Sequence, residues 1–336
     1  MTLRRSLILG GLALMWWLLA VSPALADPPG PTDYRSEVVE IEPAVAGIEV
    51  EIVGGDSFVL LTVEPGIAVQ VAGYNGEPYL RFLGDGTVEE NRNAPSKYIN
   101  EDRFGRAELP DGVDATAVPE WEVVSASGSF AWHDHRTHWM NPAAPPGGGP
   151  GDTVVEGVVP LLVDGAEVDV TVVSVWQPAP SLVPVVSGFL LGLVAALAAV
   201  RWQFLAGSIL LGLAAAALVT GGAAYLSVPG ETQPPWSLFG FPLVSLLIAL
   251  AVAYPKWWGR WGEVIRRRRS LLVLVAALEL MAWGFLHWSW LWRAILPTSL
   301  PFWLDRAVAA SVLIGAAGVA VAALRSAARG KVSTMS

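Results

Sequence analysis

Five apolar runs in the second half of the chain constrain its fold more than any other feature. Val185–Val200, Phe204–Leu226, Phe239–Tyr254, Leu271–Trp292 and Ala307–Leu324 approach or exceed the length of a membrane-crossing helix, about 20 predominantly apolar residues. Inside hydrocarbon every backbone polar group must be satisfied within its own segment, so the runs are predicted as helices. Charge tests their direction. If the residues before the first run lie outside, the third helix delivers Lys256, Arg260 and Arg266–Arg269 to the cytoplasm, and the fifth delivers Arg325, Arg329 and Lys331. The 227–238 loop, predicted external, contains no Lys or Arg. Both agree with the positive-inside rule. Tryptophans cluster near the ends of the runs, where amphipathic rings favour the interface.

The N-terminus fits the same scheme. Arg4 and Arg5 precede an apolar stretch from Leu7 to Ala20, and Ala24-Leu25-Ala26 precedes Asp27, the pattern of a secretory signal peptide at 1–26. Residues 27–181 are then an extracytoplasmic domain, 182–326 the membrane domain and 327–336 a cytoplasmic tail. The chain has no cysteine, so an ordinary apolar core must hold the exported part. Charge is partitioned: residues 27–181 carry 26 acidic and 7 basic side chains, the remainder 4 and 14. An acidic exterior excludes nucleic acid, which needs a positive footprint; the expected surroundings are a lipid bilayer and an envelope protein partner or metal donor and acceptor.

Residues 37–180 read as strands. Val38–Ile41, Ile48–Ile52 and Val69–Val71 alternate apolar with polar, as half-buried strands do. Asp164-Gly165 separates Val158–Val163 from Ala166–Val172, a strong hairpin signal. Short strands with turns between them predict an all-β, sandwich-like exported domain followed by an α-helical transmembrane domain of about five helices. The stretch 84–120 is polar and aperiodic and is expected to form long loops.

Chemistry concentrates in Trp132-His133-Asp134-His135-Arg136-Thr137-His138-Trp139-Met140, which holds three of the chain's four histidines. Imidazole is the commonest protein metal ligand. On a continuing strand His133 and His135 would share a face and His138 would have the wrong parity, so the third ring joins only if the strand bends or ends after Arg136. Met140 then offers a thioether, and Asp134 a carboxylate that orients a ring from behind. With no thiolate in the chain, copper is the favoured ion and zinc the second. Two other readings stand beside this one: rings packed between Trp132 and Trp139 for structure, or a Trp/Arg-rich strand that docks a protein partner.

The spacing H-x-H-x-x-H also resembles the zinc motif of metallo-β-lactamase-type hydrolases over this hexapeptide. Thr137 stands where those enzymes carry Asp, and the exported domain holds no further histidine, so zinc hydrolysis is not expected. No nucleophile–base pair is legible, and the protein is expected to be non-enzymatic. The overall layout resembles actinobacterial membrane proteins that join an exported β domain to an Ala/Leu/Val-rich helical tail. Val39-Glu40-Ile41-Glu42-Pro43-Ala44 and Gly47-Ile48-Glu49-Val50 are similar to the first strands of copper-resistance proteins that couple a periplasmic copper chaperone to membrane helices. That resemblance implies metal homeostasis or delivery, although this chain lacks their histidine near the mature N-terminus. Within the fourth run, Glu279 and His287 are polar residues at membrane depth, and such residues are functional candidates by default.

Overall fold

The computed structural model describes residues 29–332; the predicted signal segment lies outside them. Ten strands fill residues 34–176, and helices follow. β1 (Tyr34–Glu42), β4 (Val69–Ala72), β5 (Pro78–Phe82), β6 (Val88–Asn91), β7 (Trp121–Ser125), β9 (Thr153–Val163) and β10 (Ala166–Trp176) form one sheet, in the order β1-β10-β9-β4-β5-β6-β7. β2 (Ile48–Val53), β3 (Phe58–Val63) and β8 (Ser129–Trp132) form a second. Every pairing is antiparallel.

Local chemistry explains the register. Asp164 and Gly165 both have positive φ (48° and 85°), as a two-residue hairpin turn of the right twist requires, and the ladder closes at Ala166 opposite Val163. Alternate residues Val168, Val170 and Val172 of β10 are fully buried. They join Val59 and Leu61 of β3, Leu80 of β5 and Leu161 of β9 in one apolar cluster drawn from both sheets. The region is not purely β. The 84–120 stretch, expected to be loop, contains β6 and the short helix α1 (Pro95–Ile99). Glu77, buried, holds that helix by accepting from the Ser96 N–H and hydroxyl, a long-range contact that local pattern does not encode.

Among the described residues four helices are long and apolar enough to cross a membrane: α2 (Val183–Arg201), α3 (Ala206–Leu226, extended to Gln203 by a 3₁₀ turn), α6 (Arg269–Leu286) and α7 (Phe302–Val332). α4 (Ser237–Ala253), at 17 residues, is one residue shorter than α6, the shortest of these. It meets the following segment, which ends in α5 (Gly262–Arg267), at 89°, and counts as a fifth crossing only if the bent pair is one span. The largest shifts from the predicted runs fall at two ends. The fourth run stops at Leu286 rather than Trp292: His287 leaves the helical conformation (φ −91°, ψ 13°), and the next N–H, of Trp288, bonds three residues back to the Phe285 carbonyl (3.1 Å). Residues 327–332, expected as tail, continue α7.

Small residues set the helix packing. A Cβ on Gly188 would lie 2.3 Å from the Ala307 carbonyl oxygen, and one on Gly192 2.6 Å from that of Ser311. The Ser311 hydroxyl donates to the Gly188 carbonyl (2.9 Å). The GxxxG of α2 thus seats α7 of the same chain, as close backbone approach in lipid demands. The two halves of the protein are also stitched together. Thr32 and Ile295 exchange backbone hydrogen bonds (3.0 and 2.8 Å), and Asp33 accepts from Arg293 (2.5 Å) and the Ala294 N–H (3.0 Å).

Candidate metal centre

The strand that leads to the histidines ends earlier than its sequence suggests. β8 stops at Trp132, before the first histidine, so the expected His133/His135 strand face does not exist. Residues 134–137 instead make a turn: the Thr137 N–H and hydroxyl both donate to the Asp134 carbonyl (3.1 and 2.8 Å). The turn lies against β9, where a Cβ on Gly157 would meet the Arg136 carbonyl oxygen at 1.9 Å; only glycine admits that approach. The Ser36 hydroxyl on β1 donates to the Thr137 carbonyl (2.6 Å). Parity is no obstacle to His138, because the turn carries its ring round to the other two.

All three rings meet. Centroids are 4.4 Å apart for His133 and His138, 5.2 Å for His133 and His135, and 5.5 Å for His135 and His138. One nitrogen from each can be chosen so that all lie within 4.8 Å of one another. Some point then lies within about 2.8 Å of all three atoms, against about 2.0–2.1 Å for a zinc–imidazole bond. Closure therefore asks each ring to move by less than about 1 Å. All three are buried, His138 at 1 % exposure.

Hydrogen bonds define which nitrogens are free. His135 Nε2 lies 2.9 Å from the Asp102 carbonyl oxygen, and His138 Nδ1 lies 3.2 Å from that of Trp139. A carbonyl only accepts, so those nitrogens carry the protons and leave His135 Nδ1 and His138 Nε2 with bare lone pairs. Among the described residues His138 Nε2 and both nitrogens of His133 are buried without a hydrogen-bond partner. Buried polar atoms rarely go unpaired, and those that do call for an explanation.

The surroundings keep the rings neutral. Burial, then the neighbouring His138 and Arg103, push His133 well below the usual histidine range, and a contact with the Ser57 backbone opposes this weakly. Burial and then Arg103 push His138 down to about 3. Burial also lowers His135, with the Asp102 carbonyl opposing. Neutral imidazole is the ligating form.

Asp134 does not orient a ring. Its carboxylate accepts from Arg136 Nε and Nη2 (2.8 and 2.7 Å), the Arg136 N–H (3.0 Å) and Trp132 Nε1 (3.0 Å). Burial pushes this carboxyl up, but the Arg136 contacts and the Trp132 bond outweigh it and hold the group below the usual range. A guanidinium two residues away offers a bidentate match that a single imidazole cannot. Met140 is 38 % exposed at the rim. Its methyl and His135 Cε1 both come within 3.2 Å of the space a Gly105 Cβ would occupy. Glu279 and His287 lie elsewhere, in α6 and at its C-terminal cap. Both are buried, and His287 stacks on Trp283 with centroids 4.0 Å apart.

Several residues that shape the centre carried no legible sign of it. Tyr74 stacks on His135 (centroids 5.8 Å, planes 20° apart) and accepts from the His135 N–H (2.8 Å). Arg103 is held by the fully buried Asp56 (2.5 Å), which also accepts from the Thr32 hydroxyl (3.0 Å). Only Asp102-Arg103-Phe104-Gly105 had a readable signal, Asp and Gly at the ends of a four-residue turn, closed by the Gly105 N–H to the Asp102 carbonyl (3.0 Å). His133 also lines a cavity of about 290 Å³ with Tyr34, Arg103, Trp139 and Arg293, at the seam between the two halves.

Compared with protein-family models, curated proteins and solved structures, the chain matches none. The resemblance to copper-resistance proteins gains no support there.

Proposed function

We propose that this is a multi-pass membrane protein of the cell envelope whose sandwich-like β domain, exported behind a signal peptide, binds one transition-metal ion through His133, His135 and His138. Its C-terminus is cytoplasmic, and its role is metal homeostasis or delivery. The observation that carries the reading is the convergence of three buried, neutral imidazoles, two with protons directed at backbone carbonyls and lone pairs left bare. Holding unpartnered imidazole nitrogens away from water is costly, and an ion between the rings would take up His138 Nε2 and one of the two bare nitrogens of His133. Copper is favoured over zinc because nitrogen donors stand beside a thioether, Met140, and no thiolate exists in the chain. The backbone carbonyls of Asp102 and Trp139 do the orienting work first assigned to Asp134. Burial of Trp132 and of all three histidines weighs against the alternative, a partner docked through this strand.

The test is titration of the full chain in lipid nanodiscs with Cu(I), Cu(II) and Zn(II) against competing chelators at pH 7. One equivalent should bind, and uptake should vanish in the triple alanine variant of His133, His135 and His138. Absence of stoichiometric binding by a folded chain overturns the reading. Uptake unchanged by Met140→Ala removes the thioether from the ligand set, and with it the preference for copper.

A further inference from the structure

The opposite end of the helical region from the β domain carries an unrelated feature. After the 89° bend at the end of α4 the chain runs across the ends of the helices, and residues 256–269 hold six basic side chains against one acid, Glu263. Glu263 is taken by Arg266 (2.6 Å) and Arg267 (2.8 Å); Arg269 has no acidic partner among the described residues. Trp257, Trp258 and Trp261 are exposed here, Trp257 at 75 %. Indole and guanidinium together suit the headgroup layer of an anionic leaflet.

Behind this strip lies a cavity of about 630 Å³, walled by Ser208, Val252, Tyr254, Ile265, Arg266 and Arg269. A second, of about 250 Å³, shares Gly207 and Arg269 with it and is bounded by Val273 and Ala322. The Arg269 guanidinium lies 3.6 Å from where a Gly207 Cβ would be. It thus sits beside the first turn of α3, itself at the first turn of α6. The 3₁₀-to-α junction that opens α3, the junction of α5 with α6 and an exposed arginine without an acidic partner among the described residues therefore border one space. Guanidinium is the natural partner of phosphate. Val252, Ile265 and Val273 supply apolar wall next to that polar end.

We propose that this cavity binds the phosphate headgroup of an anionic phospholipid, held by Arg269 and Arg266 with an acyl chain along the apolar wall and the three tryptophans fixing the strip in the interface. The commitment to lipid rather than free phosphate rests on the apolar wall and the surrounding exposed indoles.

The experiment is native mass spectrometry and lipid titration of the full chain, comparing phosphatidylglycerol, phosphatidylcholine and inorganic phosphate. Phosphatidylglycerol should be retained as one tightly held molecule, with phosphatidylcholine at least tenfold weaker and inorganic phosphate failing to displace it. Arg269→Gln should weaken retention more than tenfold. Arg267→Gln, an exposed residue that lines neither cavity, should cost no more than the roughly fivefold expected of any surface charge near an anionic leaflet. Gly207→Leu, which fills the space without altering charge, should also expel the lipid and guards against misfolding of the arginine variant. Equal losses for Arg267→Gln and Arg269→Gln, retention in a folded Gly207→Leu, or displacement by inorganic phosphate each overturn the proposal.

Discussion

Acidification probes the histidine centre without any ion. A ring that opens to water takes a proton at its ordinary value near 6.5, whereas His138 in the closed structure resists until about 3. Below pH 6.5 the open state therefore binds more protons than the closed one, and stability falls as pH falls. Above 6.5 both states are neutral and the effect is absent. At pH 5 the loss is about 1.5 units at 1.36 kcal/mol each, or about 2 kcal/mol for His138 alone. His133 is lowered in the same direction and adds to it, while Asp56, which burial raises, acts oppositely. The clean quantity is the difference between wild type and His138→Gln. Hydrogen exchange of the 129–140 peptides in nanodiscs, corrected for intrinsic rates, should show the protection lost between pH 7 and pH 5 shrinking by about 2 kcal/mol in the variant. Zinc or copper at about 100 times Kd should add about 2.7 kcal/mol to wild-type protection at pH 7 and little to the variant. Parallel pH profiles for the two proteins would refute the argument that His138 is held neutral by burial.

Three other outcomes follow from the same contacts. Arg103→Ala strands the buried Asp56 carboxylate and should cost about 3–5 kcal/mol, read as lost exchange protection at 54–58; Arg103→Ala with Asp56→Asn should recover much of it. Tyr74→Phe keeps the stack on His135 but removes its hydroxyl partner, for a cost of about 1 kcal/mol and a several-fold weaker metal affinity by chelator competition. Gly192→Val drives a side chain into the Ser311 carbonyl and should cost about 1–3 kcal/mol, measured as a lower thermal midpoint in detergent, whereas Gly212→Ala, which meets nothing within 4 Å, should leave it unchanged.

Sequence alone determined what rests on local periodicity and solvent. Continuous apolarity without water forces helices, so the five apolar helices were legible, with ends displaced by up to eight residues. Alternation and the Asp164-Gly165 turn located β9 and β10, and the clustering of histidines marked where to look. Tertiary structure decided what depends on distant partners. Where β8 ends, and hence whether three rings converge, turns on Ser36 and Gly157 approaching from other strands. Which nitrogens are free was decided by the carbonyls of Asp102 and Trp139, groups present at every residue and silent in any pattern. Asp134 went to Arg136 because a carboxylate binds the strongest donor within reach, and reach is a property of the folded turn.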